Sequence, residues 1–180
     1  MLERLFAGMV RLVGRATDFL MVLAGVALAL MTIHVVADVT MRVIFNSPIP
    51  GTLEIVAFYY MVAAIVFPVA FLERKDEHIS VELFYGFFPA WAKRASYVFA
   101  CLLSAVFFAV FAYQSWLDAL KATASREVVM GAAAIQIWPA RYILPISFAL
   151  LVVVALLKIV RVFLRPSETP DGQDLAKSLD

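Results

Sequence analysis

Long apolar runs separated by short charged clusters dominate the chain. Four runs have the length and character of membrane spans: 19–45, 53–72, 95–117 and 142–157. About 20 mostly apolar residues in a helix suffice to cross roughly 30 Å of hydrocarbon. The first run is interrupted toward its far end by His34, Asp38 and Arg42. The fourth is the shortest, but Arg141 and Lys158 at its ends can snorkel, while Trp138 and the stretch 159–164 lengthen its apolar surface. Two further stretches carry a different pattern. In 1–16, Leu2, Leu5, Phe6, Met9, Leu12 and Val13 recur at helical spacing, and Arg4, Arg11 and Arg15 fall on the other side, the layout of an interfacial amphipathic helix. In 79–91, Phe84, Tyr85, Phe87, Phe88 and Trp91 lie between charged ends over too short a distance to cross, which predicts a second helix at headgroup level. The expected fold is an all-α membrane protein with four transmembrane helices plus two interfacial amphipathic helices, one N-terminal and one between spans two and three. Its expected divisions are the interfacial helix 1–16, the four-helix transmembrane domain 17–165 and a tail 166–180. The tail lacks apolar residues to pack and is expected to be disordered cytoplasmic chain.

Composition agrees: 64% of the 180 residues are hydrophobic and 16% charged, and the mean hydropathy is +0.91, which belongs in a bilayer. The net charge of +1 conceals a segregation. Arg4, Arg11 and Arg15 precede span one; Arg74, Lys75, Lys93 and Arg94 lie between spans two and three; Lys158, Arg161, Arg165 and Lys177 follow span four. The other side has only Arg42, Lys121, Arg126 and Arg141. The excess of basic residues predicts that both termini are cytoplasmic, in agreement with an even number of spans. The first apolar run is longer than the roughly 7–15 residues of a signal-peptide core, so it is expected to be retained. Cys101 is the only cysteine and can form no internal disulfide.

His34, Asp38 and Arg42 are spaced i, i+4, i+8 and stack along one face of span one. Ionisable groups in hydrocarbon point either to a substrate or proton pathway or to mutual pairing. The segment "NSPIPG" joins spans one and two in a hairpin, bringing Arg42 and Glu54 to similar depths. Glu54 is therefore expected to meet Arg42, with Asp38 one turn deeper, in a cluster that pins the hairpin. His34 could ligate haem, but His78 lies beyond span two on the opposite side, so one chain cannot build a bis-histidine site. No metal-spaced cluster, phosphate-binding loop or nucleophile with a base is present in the sequence, and neither enzymatic activity nor a cofactor is expected. "ERKDEHISVE" reads as a solvated collar flanking a span. Pro68 and Pro145 are expected to bend spans two and four for packing.

The order of these motifs resembles the small membrane subunit of tripartite ATP-independent periplasmic (TRAP) transporters, the DctQ type. The resemblance is carried by "RVIFNSPIPGTLEIVAFYYMVAAIVFPVAFLERKDEHISVELF". There Arg42 closes span one, Glu54 opens span two, and a basic residue precedes the interfacial motif His78, Ile79, Val81 and Glu82, where family members often carry aspartate at position 82. "IQIWPARYILPISFALLVV" adds a weaker match through Trp138, Pro139, Tyr142 and Pro145. Pro68 stands near a position where the family usually has a small residue.

The resemblance implies a four-helix subunit of the bacterial inner membrane, bound to a large multi-span subunit that carries the substrate and sodium sites. It also implies a periplasmic solute-binding protein that delivers an organic acid. The lipid bilayer is then the third partner, and nucleic acid is not one. The outer loops are the surfaces open to a periplasmic partner, with Lys121, Arg126, Glu127, Gln136 and Arg141 as candidate contacts. Two other readings stay open. One is a four-span proton-coupled exporter working through Asp38. The other is the membrane anchor of a redox enzyme whose partner supplies a haem ligand.

Overall fold

The computed structural model describes residues 2–75, 89–131 and 133–164. Helix α1 (Leu2–Phe45) contains no proline and runs unbroken through both the amphipathic and the apolar stretch. At about 1.5 Å per residue its 44 residues extend about 66 Å, roughly twice the hydrocarbon thickness. Within the expected interfacial segment, residues 2–16 are thus helical, but they are the first part of α1, with no turn between them and the span. α1 stops where Asn46 takes the left-handed conformation (φ 51°), which asparagine tolerates at a helix end. Pro48 and Pro50 lie in the non-helical link, and Gly51 (φ 86°) leads into the next helix.

Helix α2 (Thr52–Lys75) contains one turn of π-helix at Val56–Tyr60 and continues through Pro68 without breaking. Helix α3 (Ala90–Ala124) begins after Pro89, whose missing N–H would have had no intrahelical partner. It ends in a Schellman motif: Glu127 N–H donates to Ala122 O and Arg126 N–H to Thr123 O, with Arg126 left-handed at φ 47°. The loop then forms a small antiparallel ribbon, β1 (Val128–Met130) and β2 (Ala134–Gln136), in the register Val128↔Gln136 and Met130↔Ala134. A 3₁₀ turn at Ala140–Tyr142 leads into helix α4 (Ile143–Leu164). Pro145 sits in the first turn of α4, directly after the 3₁₀ turn. Among the described residues four helices are long and apolar enough to span a membrane, as expected, and the loop expected after span three carries a two-stranded ribbon.

In space the order is α1, α2, α4, α3: each packs on the next, while α1 and α3 hardly meet. The spans form an open layer with the last one inside it. Small residues line the contacts, among them Ala24 and Ala27 of α1, Ala63 and Ala70 of α2, Ala105 and Ala119 of α3, and Ala155 of α4. In lipid, apolar burial drives little helix association, and close approach through small side chains takes its place. Val22, Ile33 and Val36 of α1 and Phe99, Leu103 and Val110 of α3 are exposed on the edges of the layer. The rings of Phe108 and Phe111 pack on Phe148, and Trp116 meets Tyr142 edge-on, joining α3 to α4.

At the end of the layer where α1 begins and α4 finishes, two ion pairs lock α2 between its neighbours. Arg74 pairs with Asp18 of α1, and Glu73 pairs with Lys158 of α4 at 2.9 Å. Lys158 is 3% exposed, so its ammonium depends on protein partners. Gly14 leaves room for the first pair: a Cβ there would lie 2.8 Å from Arg74 Nη1, and the guanidinium would have to shift. Lys158 stands at the end of the apolar run as expected, but the structure buries it against an acid instead of extending it toward the headgroups.

Glu73→Gln or Lys158→Met alone leaves a buried partner charge with less compensation, a loss of about 3–5 kcal/mol where burial is complete. Both single variants are expected to lower the unfolding midpoint in detergent more than the double variant Glu73→Leu, Lys158→Met does.

Candidate functional site at the loop end of the layer

Asp38 organises the turn between α1 and α2. It is 6% exposed; its Oδ1 accepts the N–H of Ile49 at 2.7 Å and its Oδ2 accepts Arg42 Nη2 at 3.1 Å. Arg42 itself is largely exposed. His34, one turn deeper, has Nε2 3.5 Å from the hydroxyl of Thr52 and meets the Tyr60 ring edge-on at 5.9 Å. The i, i+4, i+8 face of α1 is thus turned toward the link and the start of α2. Thr52 Oγ1 also donates to Ile49 O at 3.1 Å, so the first residue of α2 is bonded back to the link.

Glu54 goes elsewhere than expected. Its side chain reaches the tip of the β-ribbon, where a Cβ on Gly131 would lie 2.6 Å from Glu54 Cδ and 3.2 Å from Cγ. The expected Arg42–Glu54 pair is not formed: Arg42 turns back along its own helix to Asp38. The reason lies in the faces involved, since α2 presents Thr52 to α1 and carries Glu54, two residues on, toward the ribbon. Gly131 leaves the space that the carboxylate fills, and a Cβ there would displace it.

Two more contacts hold the ribbon over the start of α2. The hydroxyl of Tyr59 donates to Gln136 O at 2.6 Å. Ile135 packs on Gly51, where a Cβ would come within 3.0 Å of Ile135 Cδ1. Glu54 and Tyr59 are five residues apart and would diverge on a regular α-helix. The π turn between them, closed by i→i+5 hydrogen bonds, brings both to the face that meets the ribbon.

The far side of the ribbon is closed by Glu127 and Arg141, joined by two hydrogen bonds of 3.1 and 2.8 Å. Ile137 N–H donates to Glu127 O, extending the ladder by one bond, and Tyr142 OH lies 2.9 Å from the hydroxyl of Thr123. Of the five loop residues singled out in the sequence, Glu127 and Arg141 therefore clip the loop. Gln136 contributes its backbone carbonyl to Tyr59 and its side chain to Trp138 Nε1 at 3.3 Å. Lys121 lies 3.7 Å from Asp118, and Arg126 is exposed at the helix end. Sequence reasoning missed Tyr59 and Gly131; a glycine between two short β-branched runs was the available signal for a ribbon tip. His78, Ile79, Val81 and Glu82, most of the second interfacial segment and the tail 166–180 lie outside the described residues.

Among the described residues no group of three His, Cys, Asp or Glu side chains could hold a metal ion. The loop end is a polar clasp between α1, α2 and the α3–α4 loop, and its chemistry is positional. Residues 31–165 match the family model for the DctQ component of tripartite ATP-independent periplasmic transporters. The chain belongs to the DctQ family. No curated protein and no solved structure matches it. The matched stretch begins inside α1 and takes in the whole clasp, from His34 to Tyr142, and the Glu73–Lys158 pair; Gly14 and Asp18 precede it. DctQ is a transport component and not an enzyme family, which agrees with a site of this positional kind.

Gly131→Ala should lower the unfolding midpoint by displacing Glu54, and adding Glu54→Ala should recover part of the loss. A double-mutant cycle read by thermal unfolding checks this; additive effects would mean that the two positions do not touch.

Proposed function

We propose that this DctQ chain scaffolds a large multi-span transport subunit in ion-coupled uptake of an organic acid delivered by a periplasmic solute-binding protein. In this reading it lies in the bacterial inner membrane with both termini in the cytoplasm, so the clasp faces the periplasm. The observation that carries the proposal is the open layer with a polar lock at each end. Ion pairs tie α2 to α1 and to α4 at one end, and the clasp ties α2 to the ribbon at the other. Between them the helices meet through small and apolar residues and expose broad apolar faces. A layer fixed at both ends is suited to hold a constant depth in the bilayer while a partner moves against it.

A stand-alone exporter would need Asp38 to exchange protons with a pathway. Both Asp38 oxygens are instead engaged by donors that build the turn, which favours a structural carboxylate. The interfacial role of 1–16 and 79–91, the first now seen as part of α1, belongs to the same reading: amphipathic segments beside the spans anchor the scaffold at the membrane surface.

The tagged chain extracted from its native membranes is expected to bring down one large multi-span protein, with weaker recovery of a periplasmic binding protein. Recovery alone, or only as a homodimer, would contradict the scaffold, as would solute accumulation by liposomes holding this chain alone that disappears in Asp38→Asn. At the periplasmic surface, Lys121→Glu with Arg126→Glu should weaken capture of the binding protein about tenfold or more while leaving recovery of the large subunit unchanged. Arg141→Ala, which opens the clip to Glu127, should instead lower stability.

A further inference from the structure

At the end opposite the clasp, α1 and α2 part around a polar niche of about 360 Å³. Its chemistry is lopsided: among the described residues Arg11, Arg15 and Arg74 line it beside one carboxylate, Asp18. Arg74 is the fixed member. It is 7% exposed, its Nη2 donates to Asp18, its guanidinium lies 5.3 Å from the Phe71 ring centroid, and Gly14 leaves the room in which it sits. Its Nε is nevertheless buried with no hydrogen-bond acceptor among the described residues. A charged donor held dry without an acceptor is costly, and three guanidinium groups beside one described acid repel one another. An anion in the niche relieves both.

We propose that this niche binds a phosphate group, carried by an anionic phospholipid or free in solution. The level of the niche favours the lipid. The apolar run of α1 begins at Phe19 and that of α2 ends at Leu72, so Arg15, Asp18, Arg74 and Lys75 flank the ends of the spans, at the depth of the headgroups. Arg11 and Arg15, exposed on successive turns of α1, form an outer rim that can close on phosphate oxygens, and Arg74 forms the inner wall. The niche lies at the opposite end of α2 from the clasp, and the inference is independent of the transport role.

The test uses the full chain in detergent micelles, with thermal unfolding measured against added phosphatidylglycerol, phosphatidylcholine or inorganic phosphate. Phosphatidylglycerol at saturation is expected to raise the unfolding midpoint by about 3–8 °C. The rise should be lost in Arg11→Gln, Arg15→Gln, both exposed positions whose replacement leaves the Asp18–Arg74 pair intact. A rise with inorganic phosphate that is also lost in this variant supports the site and assigns it to a soluble anion. No rise with either anion, an equal rise in the variant, or an equal rise with phosphatidylcholine would overturn the proposal.

Discussion

Glu73 and Arg74 are neighbours on one helix and opposite in charge, and that juxtaposition decides how the layer is arranged. Consecutive residues on an α-helix point in different directions, so the acid can reach Lys158 of α4 while the base reaches Asp18 of α1. α2 is thereby held from both sides at one level. In water such pairs would compete with a hydrophobic core. In lipid, where burying a leucine against another helix gains little over burying it in acyl chains, polar contacts and close approach of small residues set which helices touch. Gly14 and the alanines at the helix contacts supply that close approach.

The loop end meets the same demand with a different device. Every polar backbone or side-chain group near the hydrocarbon needs a partner, and the link between α1 and α2 finds one in Asp38, whose carboxylate takes the N–H of Ile49. The ribbon between α3 and α4 finds its partners on α2 through Tyr59 and the approach of Glu54 to Gly131. The π turn at Val56–Tyr60 aligns those two side chains, so a local irregularity of the helix serves a long-range contact. Both ends are tied and the middle is apolar, which is the build the proposed scaffold role calls for, and the broad outer faces carry exposed apolar side chains.

Much of the fold was legible because hydrocarbon imposes a simple rule on sequence: a long uncharged run must become a helix, and the four runs did. Legibility failed where one residue had several possible partners. Arg42 and Glu54 share a depth across the hairpin, but depth does not specify azimuth, and Arg42 turned to Asp38 on its own helix. Lys158 and Arg74 read as residues marking the ends of spans, because basic residues beside an apolar run usually do. Their acids, Glu73 and Asp18, stand 85 and 56 positions away in the chain. The ribbon escaped notice because each strand is only three residues long, too short for an alternating pattern to register.

What the sequence determined by itself is the count of spans, their approximate limits and membership of the DctQ family, because these depend on local hydropathy and on the order of motifs along the chain. What only the tertiary structure decided is the order α1, α2, α4, α3 and the identity of the ion pairs. It also decided the role of Glu54 at Gly131 and the continuity of α1 through its amphipathic segment. These depend on which face each helix turns to its neighbours, and a helix in lipid can be rotated about its axis at little cost until specific polar and small-residue contacts stop it.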